Sequence, residues 1–224
     1  MAQQTLQREI SRPGWTARRW AIPGLPKALP LPGVRPWVGL AAIFSLGIAL
    51  RLFRLGDQSL WLDEAFSVTL SRKPVLEMLR LIVLSDSHPP LYYLLLHFWM
   101  ILGDSEVLVR LLSALLSGAS ILTMYALGRA MYSHSVGLTA ALILALSPFH
   151  IWYAQEARMY ALLSLGVLAS AYFLVRALQT NHVKHWTGFV FTTTLALYSD
   201  TGAIWYVAAI TLFGLLSWRS QKGG

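Results

Sequence analysis

Apolar runs of about 15–20 residues recur from Trp37 to Trp218, with few charges inside them. A spanning helix needs about 20 apolar residues, and in lipid its backbone must satisfy its own hydrogen bonds. The pattern predicts an all-α, multi-pass membrane protein with about six transmembrane helices. Charged residues make up only 12% of the chain, about half the share of a soluble domain. The formal charge of +8 does not point to nucleic acid. Lys and Arg fall in short loops and tails, as the positive-inside rule expects. The absence of cysteine excludes a disulfide framework, a thiol nucleophile and a Cys metal site.

Residues 1–36 carry Arg8, Arg12, Arg18, Arg19, Lys27 and Arg35, with Pro13, Pro23, Pro26, Pro30 and Pro32. They read as a disordered, basic cytoplasmic tail able to touch anionic lipid. The first apolar helix, Trp37 to about Leu55, is expected to act as an uncleaved anchor. Residues 56–107 form a long, half-apolar outer loop. Within it Pro74 suits the first turn of a short helix, 74–84. The run 91–102 rises only about 18 Å, against a hydrocarbon core of about 30 Å. It is therefore expected to lie along the membrane surface. Further helices are expected at about 108–128, 136–154, 158–178, 186–199 and 202–217, with residues 218–224 a cytoplasmic tail. This topology puts Arg129, Arg176, Lys184, Arg219 and Lys222 on the side of the N-terminal tail, and all acids but Glu9 near the other side. Ser113, Ala114, Ser117 and Gly118 give the second spanning helix a small-residue face for close packing.

Four constellations can carry chemistry. Asp63-Glu64 follows the first span; neighbours on a helix point different ways, so one can be a general base while the other binds substrate or a metal. The plain alternative is a helix N-terminus that favours acids. Asp86-Ser87-His88-Pro89-Pro90 offers Asp86 and His88 to a metal, a phosphate or a sugar, or is simple turn chemistry before a helix. Glu156 and Arg158 sit in a turn, Gln155-Glu156-Ala157-Arg158, back on the Asp63 side. Charges so close to apolar helices are costly and often functional, though an interfacial turn with an aromatic belt has the same composition. Arg110, with Arg51 and Arg54, can hold a lipid phosphate or anchor helix ends by snorkelling.

In this order the segments resemble the N-terminal half of a GT-C type integral-membrane glycosyltransferase. The nearest branch is the polyprenyl-phosphate-sugar dependent one, which includes protein O-mannosyltransferases and lipid A aminoarabinose transferases. The resemblance runs from Arg51 to about Thr180, through Leu60-Trp61-Leu62-Asp63-Glu64, His88-Pro89-Pro90-Leu91-Tyr92-Tyr93, Arg110-Leu111-Leu112-Ser113, Leu127-Gly128-Arg129 and Ser147-Pro148. It implies juxtamembrane helices in the first outer loop and a site on the extracytoplasmic face. Asp63 would be the catalytic base, with Glu64 beside it. Glu156 would be a second acid for substrate or a divalent metal ion, so Asp63 and Glu156 are the candidate metal ligands. Glu64, Asp86, His88, Arg110, Glu156, Arg158 and Arg51 are the candidate substrate-binding residues. The implied partners are a polyprenyl-phosphate-sugar donor, a glycan, lipid or protein acceptor, and membrane lipid. The implied reaction is inverting transfer. Full-length relatives are longer, so the chain is expected to correspond to part of such an enzyme. Asp200 stands where close relatives are expected to carry a His-bearing turn. A non-catalytic scaffold or a transporter fragment is the rival reading. A transporter would place its polar groups near the midplane, whereas here the acids gather at one surface.

Overall fold

The computed structural model describes residues 36–85 and 88–222. The basic tail expected over residues 1–36 lies outside the described residues except for Pro36, which starts the first helix; so do Asp86, Ser87 and the last two residues. Ten α-helices make up the described chain: α1 (Pro36–Leu52), α2 (Leu62–Ser71), α3 (Val75–Ser85), α4 (Leu91–Trp99, extended by a 3₁₀ turn, Met100–Leu102), α5 (Glu106–Met131), α6 (His134–Leu146), α7 (Pro148–Ala154), α8 (Tyr160–Thr180), α9 (Val183–Ser199) and α10 (Ala203–Lys222). Among the described residues there is no strand.

Six elements, α1, α5, the α6–α7 pair, α8, α9 and α10, fall on the expected apolar runs. Only α5 and α8 are long and apolar enough to cross a membrane by themselves, and the α6–α7 pair makes a third. Helices α1 and α9 have 17 residues each, short of the usual ~20. The single helix expected over 136–154 is two helices bent by 61°. Pro148 has no N–H to continue the ladder to Leu144, and Ser147 Oγ restarts a helix by accepting from His150 N at 3.4 Å. The last helix continues past 217 to Lys222.

Small residues set the spacing. Where α5 hands over to α6, a Cβ on Gly128 would lie 2.9 Å from Gly137 Cα. A side chain at either position would push these helices apart. Ser113, Ala114, Ser117 and Gly118 on α5 are all buried, as their spacing predicts.

Residues 56–105 cover one end of the bundle. Helix α2 starts at Leu62, inside the expected outer loop, and puts Asp63 and Glu64 in its first turn, the helix N-terminus that the acidic pair suggested. Helix α4 is amphipathic by packing: Tyr92, Tyr93 and Leu96 are buried, while Leu95 and Phe98 are exposed. Tyr92 Oη lies 2.9 Å from Ser113 Oγ, and His97 Nδ1 donates to Ser71 O at 2.8 Å. Nine residues rise only about 14 Å, and the segment lies against α2, α5 and α9. Asp57, Asp63, Glu64, Glu77, Asp104, Glu106, Glu156 and Asp200, the described acids, all lie at this end; Arg129, Arg176 and Lys184 lie at the other.

Candidate functional site

Glu64 is fully buried in the first turn of α2. Its Oε1 accepts from Arg110 Nε and from Ala157 N, both at 2.8 Å. Its Oε2 accepts from an Arg110 terminal nitrogen at 2.7 Å and from Trp61 N at 3.3 Å. The last bond is half of a capping box. Arg110 also donates to the carbonyls of Leu55, Gln58 and Ser59 at 3.1, 2.7 and 3.2 Å. All five guanidinium N–H groups are thus committed within the chain. The pair ties three segments together: the loop after α1, the start of α5 and the 155–159 turn.

Asp63, one residue earlier, points elsewhere, as 3.6 residues per turn dictates. Its side chain is 43% exposed, with Oδ2 3.9 Å from an Arg158 terminal nitrogen. Arg158 is buried. Another of its terminal nitrogens donates to Ser67 Oγ at 3.3 Å, and Ser67 Oγ donates to Asp63 O at 2.8 Å. The guanidinium lies 5.9 Å from the Tyr160 ring centre, and its Nε has no hydrogen-bond partner. The acidic pair and the Glu156–Arg158 turn therefore meet, although nearly a hundred residues separate them.

A cavity of about 740 Å³ opens beside this junction. Glu64 and Arg110 form part of its wall, with Trp61, Trp152, Tyr153, Tyr160 and Gln155 supplying rings and an amide. Glu156 lines it too, and its buried Oε2 has no hydrogen-bond partner. Burial pushes the Glu156 carboxyl above its ordinary range; a hydrogen bond with Trp152 works against that. Arg54 and Asp57 form an ion pair at the cavity wall. Arg54 has φ 60°, a left-handed backbone that costs a non-glycine residue roughly 1–2 kcal/mol. Asp63 and Arg158 adjoin the cavity without lining it.

Arg51 lies in a separate, fully buried network. Its Nε donates to Ser117 Oγ at 2.7 Å. Its terminal nitrogens donate to the carbonyls of Gly47, Ala145 and Leu144 and to His150 Nδ1, at 2.8, 3.2, 3.3 and 2.9 Å. Arg51 has no acceptor of its own, so His150 Nδ1 accepts. Its Nε2 then carries the proton toward Ser164 Oγ, 3.1 Å away. Every donor of Arg51 is committed as well.

His88 lies apart from these groups, with Nε2 4.0 Å from Asp200 Oδ2. The turn before α4 thus meets the turn between α9 and α10. Among the described residues no group of three or more His, Asp or Glu is placed to hold a metal ion. Sequence reading missed Gln155, whose Nε2 lies 2.9 Å from Phe53 O. It grouped Arg54 with Arg51 and Arg110 for a lipid phosphate, but did not pick out Asp57 as the partner of Arg54 at the cavity wall.

The model of the family described as dolichyl-phosphate-mannose-protein mannosyltransferase matches residues 87–222, more than half of the chain. The chain belongs to that family. It is a GT-C-type membrane glycosyltransferase. The match begins downstream of Asp63-Glu64, and spans His88, Arg110, Glu156 and Arg158. No curated protein and no solved structure gives a match.

Proposed function

We propose that the chain transfers a sugar, with inversion, from a polyprenyl-phosphate-linked donor to an acceptor hydroxyl at the extracytoplasmic face. The six elements on apolar runs would be six membrane crossings, with the N-terminal tail in the cytoplasm. Asp63 takes the proton from the acceptor hydroxyl. That oxygen attacks the anomeric carbon, and the lipid phosphate leaves with the bonding electrons. The observation that carries this reading is the half-exposed Asp63 carboxylate, set against Arg158 beside the cavity that Glu64 and Glu156 line. Glu64, with no unused acceptor geometry, holds the cavity wall in place through Arg110 and Ala157. Glu156, which lines a ring-bearing cavity and has a buried, unpartnered Oε2, suits a sugar hydroxyl, or a metal ion together with Asp63.

The test is Asp63→Asn in the full-length protein, reconstituted with a polyprenyl-phosphate-linked mannose. A positioned general base is worth about 10²–10⁴ in rate, so transfer should fall by at least about a hundredfold while membrane expression stays intact. Near-wild-type transfer would remove Asp63 from the chemistry; no transfer by the wild type would favour the scaffold reading.

A further inference from the structure

We infer that Arg54, exposed at the cavity wall, is the residue that grips the phosphate of a prenyl-linked donor. The inference rests on the donor reading above and goes beyond it, by naming the ligand group and the residue that meets it. Three other arginines border this region, and their geometry argues against each. Arg51 and Arg110 have all five N–H groups bonded within the chain. A phosphate there would have to break buried bonds, each left-over carbonyl being costly. Arg158 is buried and does not line the cavity.

Arg54 differs in every respect. It lines the cavity, its side chain is largely exposed, and its one recorded partner among the described residues is the exposed carboxylate of Asp57, bonded through Nε. The terminal nitrogens, which make the forked contact that suits a phosphate, carry no recorded bond. Its backbone supplies an independent clue. Position 54 follows the end of α1 in a left-handed conformation, where glycine is usual. Strain of that kind gathers at ligand clamps. Phe53 and Trp152, beside it on the cavity wall, are exposed apolar side chains. A phosphate carrying an apolar chain meets a cation and a greasy flank together.

The experiment measures binding of farnesyl phosphate, farnesol and inorganic phosphate to the full chain in detergent. Wild type, Arg54→Gly, Arg54→Gln and Asp57→Asn are compared. Arg54→Gly suits the turn and removes the cation, so it should melt no lower than wild type. Both Arg54 variants should bind farnesyl phosphate about tenfold more weakly or worse, since a bond to a charged group is typically worth that much. Farnesol binding should not change. Asp57→Asn, which removes a competing anion, should leave farnesyl phosphate binding as tight or tighter. Wild-type affinity in both Arg54 variants would overturn this inference alone. Inorganic phosphate binding as tightly as farnesyl phosphate would overturn the lipid-linked assignment. Failure of the wild type to bind farnesyl phosphate would overturn this inference together with the donor reading.

Discussion

Gln155 caps the helix that carries Arg51, and Arg51 caps α6, the helix before the one that Gln155 follows. Arg51, in the last turn of α1, donates to Leu144 O and Ala145 O, which end α6. Gln155, just past α7, has Nε2 within 3.4 Å of Leu50 O and 3.2 Å of Arg51 O, at the end of α1. The proline explains half of this. With no N–H at Pro148, Leu144 O lacks its regular partner, and the guanidinium supplies one. The negative end of the α6 dipole also faces the cation. No carboxylate is needed beside a charge placed this way.

The two caps should differ in worth. Arg51→Met removes a donor from Ala145 O, leaves Leu144 O only the 3.4 Å bond from Ser147 N, and leaves Ser117 and His150 to each other at 2.9 Å. At about 1–3 kcal/mol for each orphaned group, it should lower stability by roughly 3 kcal/mol or more. Arg51→Lys cannot reach all five acceptors with three donors and should recover little. Gln155→Ala, in a part-exposed position, should cost about 1 kcal/mol. Thermal unfolding in detergent ranks the three, and equal losses for Arg51→Met and Gln155→Ala would contradict the cap argument.

Glu64 and Arg110 should behave unlike an isolated buried pair. Swapping both partners of such a pair for apolar residues is often harmless. Here the carbonyls of Leu55, Gln58 and Ser59 and the N–H of Ala157 would lose partners as well. Glu64→Gln alone should cost about 3–5 kcal/mol, by leaving a buried cation uncompensated. Glu64→Leu with Arg110→Met should stay destabilised by at least about 2 kcal/mol. A double variant as stable as wild type would show that those backbone groups find other partners.

Much of this site was legible before any coordinates. The apolar runs located the helices α1, α5, α6–α7, α8, α9 and α10, because periodicity and length are local properties. Asp63-Glu64 at a helix start and the Glu156–Arg158 turn on the same side followed from counting crossings. The different surroundings of the Asp63 and Glu64 side chains followed from helical geometry. What the sequence hid was which donors were already used. Arg51, Arg54 and Arg110 look alike in a string, and only the carbonyls left by Pro148 and by the 55–59 loop set them apart. The Ser147-Pro148 break was visible as a proline. Its 61° bend was not, since a proline inside an apolar run can also leave one kinked span.

Glu156 gives a pH signature. Burial holds its carboxyl above the ordinary value of 4.5. Below that value the carboxyl is protonated folded or unfolded, and contributes no pH dependence. As pH rises above it, the unfolded chain releases the proton first, so the folded state loses stability until its own raised pKa is passed. Glu156→Gln removes that loss. The melting temperatures of wild type and variant should diverge across the window just above pH 4.5, with the variant gaining. Parallel curves would mean that the carboxyl is not strained by burial.

The orientation of α4 decides the sidedness of everything after it. If α4 lies on the surface, the chain between Arg54 and Glu106 never crosses the membrane, so Gln58 and Thr201 face the same compartment. His134 and Asn181 then face the other, where Arg129, Arg176 and Lys184 gather. The positive-inside rule makes that second compartment the cytoplasm. In the packing, Tyr92, Tyr93 and Leu96 are buried in one cluster with α2, α3, the first turns of α5 and α8, and the 155–159 turn. The cysteine-free chain allows a direct check. Single cysteines at Gln58, Thr201, His134 and Asn181, all exposed positions, are treated with an impermeant thiol reagent on intact cells. Gln58→Cys and Thr201→Cys should label at once; His134→Cys and Asn181→Cys should label only after permeabilisation. Labelling of Gln58→Cys together with His134→Cys, and not Thr201→Cys, would make α4 a crossing. It would then put Asp63 and Glu156 on opposite faces, against the 3.9 Å approach of Asp63 to Arg158.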